Sequence, residues 1–268
     1  MLNPMLKAAP VLEVENLTLT LNGKTIIRDL SFSLLHGERV CLLGASGCGK
    51  SFTARAITGT LPAQTIIDGV IRVNGVNVTR KNALVRAPKS RVAAVFQDSS
   101  VALNPLVRIG KQLALVNRVL PADTRDRLLH GVGLSDIPDL MQRFPAEISG
   151  GQLQRLCMVL ATLTKSNVLV ADEPTTALDV LAQQQVINLL LQRSVQPDAP
   201  ALLFITHDIG VAAQICQRAI VMADGELVES APLRQLLRTP VHPYTRQLIA
   251  AATENGNLMS PDNTRMAV

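Results

Sequence analysis

The chain has 268 residues, 47% of them hydrophobic, and this content supports a globular core and excludes a disordered chain. A net charge of +5 permits a basic surface, but one tyrosine, five phenylalanines and no tryptophan leave few platforms for stacking nucleic-acid bases. Four cysteines without a CxxC pair argue against structural zinc and are typical of a chain kept reduced.

The first ten residues lack the apolar run of a signal peptide, so we expect no leader. The sequence has no run of about 18 apolar residues, which predicts that no helix spans a membrane. Any membrane association would therefore depend on a partner.

Antiparallel β structure is predicted near the start of the chain. Residues 11–21 alternate between apolar and polar, the pattern of a half-buried strand, and Asn22-Gly23 then supplies a turn. A second Asn-Gly pair, at 74–75, separates two further strand-like runs. We therefore expect two hairpins.

Short apolar runs without alternation predict strands that are buried on both faces, as in a parallel sheet. They are Arg39–Leu43, Val92–Phe96, Asn167–Ala171 and Leu202–Thr206. Helix-like segments alternate with these runs, beginning with 50–59. The pattern predicts an α/β core with a mainly parallel sheet.

The stretch from about 98 to 164 differs from this core. Its apolar residues recur at helical spacing, and prolines interrupt it. We expect a helical subdomain inserted into an α/β domain that spans 11–252. The polar residues 253–268 are expected to form a tail.

The strongest motif is a glycine-rich loop, G-x-x-x-x-G-K-[ST], between a predicted strand and a helix. It comprises Gly44, Ala45, Ser46, Gly47, Cys48, Gly49, Lys50 and Ser51, and Phe52 follows. Glycines let backbone N–H groups approach phosphate oxygens, and the helix start adds its positive dipole end. Lys50 is expected to neutralise the β- and γ-phosphates, and Ser51 to bind Mg²⁺. An ordinary tight turn is the alternative, and the strand–loop–helix context disfavours it.

Two adjacent carboxylates, Asp172 and Glu173, end a predicted buried strand. Carboxylates there are costly unless a cation or a water molecule uses them. Asp172 suits the Mg²⁺ shell, and Glu173 suits a general base that polarises the attacking water. A solvated strand end is the alternative for this pair alone. Together with the loop, the pair predicts a P-loop nucleotidase.

Further motifs, in a fixed order, resemble those of the ABC ATPase family over about 11–252. Ile148–Arg155 resembles the LSGGQ signature, with Ser149, Gly150, Gly151 and Gln152 at its centre; Gln97 resembles the Q-loop, Ala177–Asp179 the D-loop and His207 the switch histidine. The family implies that Ser149 and Gly151 of one subunit contact the γ-phosphate held by Lys50 of another. It also implies that Gln97 touches Mg²⁺ and the attacking water.

A pair of subunits is also suggested by the residues themselves. Ser-Gly-Gly at a helix start is a phosphate-binding device, yet the glycine-rich loop of the same chain already holds the phosphates. Two such devices suggest two chains that face each other head to tail. Taken alone, Ser149 is equally consistent with a helix N-cap and Gln97 with a strand-end amide. His207 alone would more often be a core or turn histidine.

Asp98–Pro105 and His242–Thr245 resemble the oligopeptide, dipeptide and nickel importer branch of the family, and the short chain is most similar to nickel or metal-chelate importer subunits. This resemblance implies two permease subunits, a second, different ATPase subunit and an external substrate-binding protein. It also implies a peripheral position on the cytoplasmic face of the inner membrane. A proline-framed helix start is the alternative for 242–245.

Several positions depart from the family pattern, and Leu21 and Cys48 are the two that bear on function. Leu21 stands where many ABC ATPases carry an aromatic residue that stacks on adenine. Cys48 lies near a helix N-terminus, where a thiol pKa can fall. The alternatives for Cys48 are therefore a redox role and an ordinary variable position of the loop.

Two other functions are alternatives to transport. One is an ABC ATPase that acts on nucleic acid or ribosomes, and the other is a subunit of a phosphonate-type enzyme complex.

Overall fold

The computed structural model describes residues 9–99, 102–116, 121–176 and 178–254. The strands in these ranges are β1 (Leu12–Leu21), β2 (Lys24–Leu34), β3 (Arg39–Leu43), β4 (Ile66–Val73), β5 (Val76–Asn77), β6 (Ala93–Val95), β7 (Val168–Asp172), β8 (Ala201–Ile205), β9 (Arg218–Ala223) and β10 (Glu226–Pro232). The α-helices are α1 (Lys50–Thr58), α2 (Ile109–Val116), α3 (Ala122–Gly131), α4 (Gly150–Leu163), α5 (Val180–Ser194), α6 (Ile209–Ile215), α7 (Leu233–Arg238) and α8 (Pro243–Glu254). They form the predicted α/β fold.

The first sheet is antiparallel and has the strand order β2–β1–β4–β5. Its hairpins turn at Asn22-Gly23 and Asn74-Gly75, where both residues of each pair have positive φ. That conformation suits type I′ turns, whose twist matches that of the flanking strands. The two predicted hairpins are therefore confirmed.

The second sheet has the order β10–β9–β3–β8–β7–β6, and all its strands are parallel except β10. The apolar runs in the sequence become β3, β6, β7 and β8, with small shifts at their ends. The β9–β10 hairpin is absent from our sequence-based prediction. Its signal is the pair Asp224-Gly225, which again has positive φ at both residues.

The central strands β3, β7 and β8 of the second sheet are buried on both faces, which explains their apolar runs without alternation. Along β3, Cys41 and Leu43 lie in a core cluster with the helices α4 to α6. Val40 and Leu42 point to the opposite face and join a cluster with α1 and the antiparallel sheet. The core thus holds β3, the strand that leads into the glycine-rich loop, from both sides.

The helices α2, α3 and α4 lie between β6 and β7, in the stretch for which the sequence predicts an inserted helical subdomain. At the other end, α8 continues to Glu254, past the predicted domain boundary at 252. Most of the predicted tail, 255–268, lies outside the described residues, as do Ser100 and Val101 of the segment at 98–105 and Ala177 of the D-loop motif. None of the helices described is long and apolar enough to cross a membrane.

Candidate functional site

The glycine-rich loop connects β3 to α1, and its glycines are required by geometry. Gly49 has a φ of 107° directly before α1 begins. Gly44 has a φ of 154°, and a Cβ atom there would lie 2.3 Å from the backbone oxygen of Met222 on β9. The loop is thus packed closely against the sheet. Only glycine fits at position 44, because the backbone that a Cβ atom would meet cannot move aside without a large cost.

Lys50, the first residue of α1, is buried, with 7% of its surface exposed. Its ammonium group donates hydrogen bonds to the carbonyl oxygens of Gly44 (2.8 Å) and Ala45 (2.9 Å). A cation is thus held inside the curve of the loop, at the end of a helix that favours negative ligands.

Asp172 ends β7 beside this loop and is buried, with 3% of its surface exposed. Its Oδ1 atom has no hydrogen-bond partner. Burial raises the pKa of Asp172, and a hydrogen bond from the Ser51 side chain opposes this effect in part. A buried carboxylate oxygen without a partner is unfavourable unless a cation binds it. Asp172 and Ser51 therefore fit the predicted Mg²⁺ site.

Glu173 follows in a left-handed conformation, with a φ of 51°. Such a conformation is costly and persists where neighbouring contacts enforce it. Here the Glu173 N–H donates to the Ile205 carbonyl oxygen at 2.9 Å. The carboxylate accepts a hydrogen bond from the Thr176 hydroxyl at 2.7 Å, and its other oxygen lies 2.9 Å from Nδ1 of His207.

Lys50, Ser51 and Glu173 open onto one cleft of about 960 Å³, whereas the buried Asp172 is not part of its lining. Of the residues that the sequence singled out, Ser46, Gly47, Gly49, Lys50, Ser51, Phe52, Gln97, Glu173 and His207 line it. The sequence analysis missed Lys24, Thr25, Ile26, Thr176, Asp224 and Gly225 in the same lining. Leu21 is not part of the lining, and the hairpin reaches the cleft through β2 instead.

Cys48 is a residue of the loop, and its side chain packs into the core, with 7% of the residue surface exposed. Burial raises its pKa, and Lys50 only partly opposes this effect. The raised pKa does not support the low-pKa redox role and favours the ordinary loop position, because the loss of hydration outweighs the neighbouring positive charge.

The signature-like residues lie outside the cleft lining. Ser149 is exposed and caps α4: its side chain accepts from the Gln152 N–H, and the Gln152 side chain accepts from the Ser149 N–H. A Cβ atom added at Gly150 would meet nothing within 4 Å. Asp179 likewise caps α5, by accepting from the Ala182 N–H at 2.8 Å.

Gln154 connects α4 to the catalytic candidates and was missed by the sequence analysis. It is buried, and its side-chain amide donates to the carbonyl oxygens of Pro174 (2.8 Å) and Glu173 (3.4 Å). A buried glutamine among the apolar residues of a helix is the signal that could have found it. The start of α4 is thereby tied to the backbone that follows β7.

The strand–loop–helix unit, the buried lysine and the paired carboxylates define a P-loop nucleotide-binding protein. The sequence model described as ABC transporter matches residues 27–176, more than half of the chain. The chain therefore belongs to the ABC transporter family, as the order of its motifs indicated.

Individual relatives agree with this assignment. The chain is 35% identical to the glutathione import ATP-binding protein GsiA of Escherichia coli K12, over 97% of this chain and 45% of GsiA. It is 38% identical to the oligopeptide transport ATP-binding protein OppD of Lactococcus lactis, over 83% of this chain and 69% of OppD. It thus spans about half the length of GsiA. A bacterial Atm1-family ABC exporter with ATP bound has the same fold, with a TM-score of 0.75 at 21% identity, over 94% of this chain and 44% of the exporter chain.

Proposed function

We propose that the chain is the ATP-binding and ATP-hydrolysing subunit of an ABC importer. The observation that carries this proposal is one cleft that contains the loop lysine, Lys50, together with Glu173 and its partner His207. Binding and hydrolysis of a nucleoside triphosphate need these groups in one place.

ATP binding is assigned to the loop and to the residues around it. The backbone N–H groups of the loop and the ammonium of Lys50 would hold the β- and γ-phosphates. Asp172 and Ser51, with Gln97 at the cleft, would hold Mg²⁺, which neutralises charge on the phosphates when it is bound. The buried Oδ1 of Asp172 supports this assignment because a cation would give it a partner.

Hydrolysis requires a base for the attacking water, and Glu173 is our candidate. Its carboxylate is held by Thr176 and His207, and its backbone by Ile205. A carboxylate held in this way can accept the proton of a water molecule that attacks the γ-phosphorus, while the bond to the leaving ADP oxygen breaks. His207, whose side chain is 62% exposed, would contact the γ-phosphate.

The proposed assembly contains a second ATPase subunit, two permeases and an external substrate-binding protein, with this chain attached to the cytoplasmic face of the inner membrane through the permeases. The exposed Ser149 and the half-buried Gly151 would contact ATP held by the other ATPase subunit. Small peptides are the favoured cargo, since the relatives are named for glutathione and oligopeptide import. Nickel or a metal chelate, suggested by the sequence resemblance, is the alternative.

The test replaces Glu173 by glutamine, which keeps the size of the side chain but removes the base. We expect ATP turnover to fall by about 10²- to 10⁴-fold while ATP binding is retained. In a deletion strain, uptake of the labelled cargo should return with the wild-type gene and not with Glu173→Gln. Labelled dipeptide, glutathione and nickel chelate are compared to identify that cargo.

The matched control is Glu254→Gln, the same change at an exposed position at the end of α8. It should leave both turnover and uptake unchanged. Near-normal ATP turnover in Glu173→Gln would reject the assigned base, and restored ATPase activity without uptake of any of the three compounds would reject the assigned cargo classes.

A further inference from the structure

Tyr244, at the start of α8, contacts the glycine-rich loop directly. Its hydroxyl oxygen accepts a hydrogen bond from the backbone N–H of Ala45, with 2.8 Å between the two atoms. Tyr244 is the one tyrosine of the chain, and 199 positions separate it from Ala45. The roles considered above for 242–245, a family marker or a helix start, leave this contact unexplained.

The contact acts on a single peptide group, the one that joins Gly44 to Ala45. At one end of this group, the Gly44 carbonyl oxygen accepts from Nζ of Lys50 at 2.8 Å. At the other end, the Ala45 N–H donates to Tyr244. The two ends of a trans peptide point in opposite directions, so the two side chains hold the group from both sides.

This restraint matters because Gly44, as a glycine, does little by itself to fix the orientation of the peptide group. Its φ of 154° is a conformation that glycine adopts without steric penalty, and glycine also has ready access to others. A rotation of the Gly44–Ala45 peptide would turn the carbonyl oxygen away from Lys50. Tyr244 opposes that rotation by holding the N–H end.

The tyrosine is itself fixed by the elements around it. Glu229 on β10 accepts hydrogen bonds from the N–H groups of Val241 (3.0 Å) and His242 (2.9 Å). Nδ1 of His242 then accepts from the N–H of Tyr244 at 3.2 Å. The ring packs half-buried against the large core cluster. The hydroxyl position is therefore determined by β10 and the start of α8.

We infer that Tyr244 is a positioning residue for the phosphate-binding loop. Through Ala45 it keeps the Gly44 carbonyl oxygen directed at Lys50, and so it holds the loop in the conformation that receives the phosphates of ATP. This role rests on the proposed ATP binding. A tyrosine that served only to pack the start of α8 would need its ring and not its hydroxyl group.

The test is Tyr244→Phe in the full chain, which keeps the ring and removes the hydroxyl group. Loss of one hydrogen bond should weaken Mg-ATP binding by about 3- to 10-fold and raise the KM for ATP by a similar factor. The kcat should change less than the KM, because Glu173 and His207 are untouched. The matched control is Thr253→Val, which removes a hydroxyl group from the same helix where it bonds the Ile249 carbonyl oxygen; it should bind Mg-ATP like the wild type.

A second measurement tests the contact without nucleotide. Hydrogen exchange of the Ala45 amide, followed by NMR, should be faster in Tyr244→Phe than in the wild type or Thr253→Val. Wild-type affinity for Mg-ATP or unchanged Ala45 exchange in Tyr244→Phe would overturn the inference. A wild-type chain that fails to bind Mg-ATP would instead reject the proposed function, and the exchange measurement would still decide whether Tyr244 restrains the loop.

Discussion

The glycine-containing segments at the starts of α1 and α4 are built in opposite ways. Before α1, the loop is packed so closely that a Cβ atom at Gly44 would lie 2.3 Å from a backbone oxygen, and Lys50 is buried. At α4, Ser149 is exposed and Gly150 has open space around it. The loop before α1 is thus enclosed by its own chain. The start of α4 is exposed, which suits the proposed contact with a ligand held by another molecule.

The largest difference in stability between the two regions should appear when one glycine of each is replaced by alanine. Gly44→Ala should destabilise the fold by about 2–4 kcal/mol, because it combines a disfavoured φ with a clash against the Met222 backbone. Gly150→Ala, in the first turn of α4, should be neutral or stabilise by up to about 1 kcal/mol. Urea unfolding of the two variants measures the difference.

Gly150→Ala is thus the matched control for Gly44→Ala, since each adds one methyl group to a glycine of a proposed phosphate-binding segment. Equal destabilisation by the two changes would contradict the contrast between a closed and an open site. Destabilisation by Gly150→Ala alone would mean that the start of α4, and not the loop before α1, is the closely packed region.

A smaller effect concerns the charge of Asp172. Burial raises the pKa of this carboxyl group in the folded chain, so its favourable contribution is present below the pKa of the unfolded chain, near 3.8, and is lost as the pH rises through the folded pKa. In the absence of nucleotide, the stability of Asp172→Asn should therefore increase relative to the wild type between acidic and neutral pH. We expect this change to be about 1–3 kcal/mol, the cost of an unsatisfied buried group.

In the presence of Mg-ATP, the wild type should instead be more stable than Asp172→Asn, because the ionised form of Asp172 is the one that binds a cation. Thermal unfolding across pH, with and without Mg-ATP, measures both differences. If the stability difference between the two chains were constant over the pH range, the buried carboxylate would have no unfavourable effect in the folded state. If Mg-ATP stabilised both chains equally, Asp172 would not hold the cation.

The closed region was largely predictable from the sequence because its signals are local. The spacing of Gly44, Gly49 and Lys50 between a strand and a helix is sufficient to identify the loop, and the position of Glu173 after an apolar run places it at a strand end. The β9–β10 hairpin also has a local signal, the pair Asp224-Gly225, although it is absent from the sequence-based prediction.

The contacts that restrain the site were not predictable in this way. Tyr244 bonds Ala45 across 199 positions, and Gln154 bonds Pro174 from a different element. Such pairings depend on which elements meet in space, and no local pattern encodes them. The left-handed conformation of Glu173 is a further case, because it follows from the backbone bond to Ile205 and not from a residue type that favours positive φ.

The central claim is that the exposed start of α4 contacts ATP held by another subunit. The most direct test compares Ser149→Asp with Ser149→Asn, both in the Glu173→Gln background. Both residues cap helices well, so the fold should be retained, but aspartate adds a negative charge where a triphosphate would bind. Sedimentation velocity should show Mg-ATP-dependent association of ATPase subunits for Ser149→Asn, and association at least about tenfold weaker for Ser149→Asp. Equally tight association of the two variants in Mg-ATP would contradict the claim.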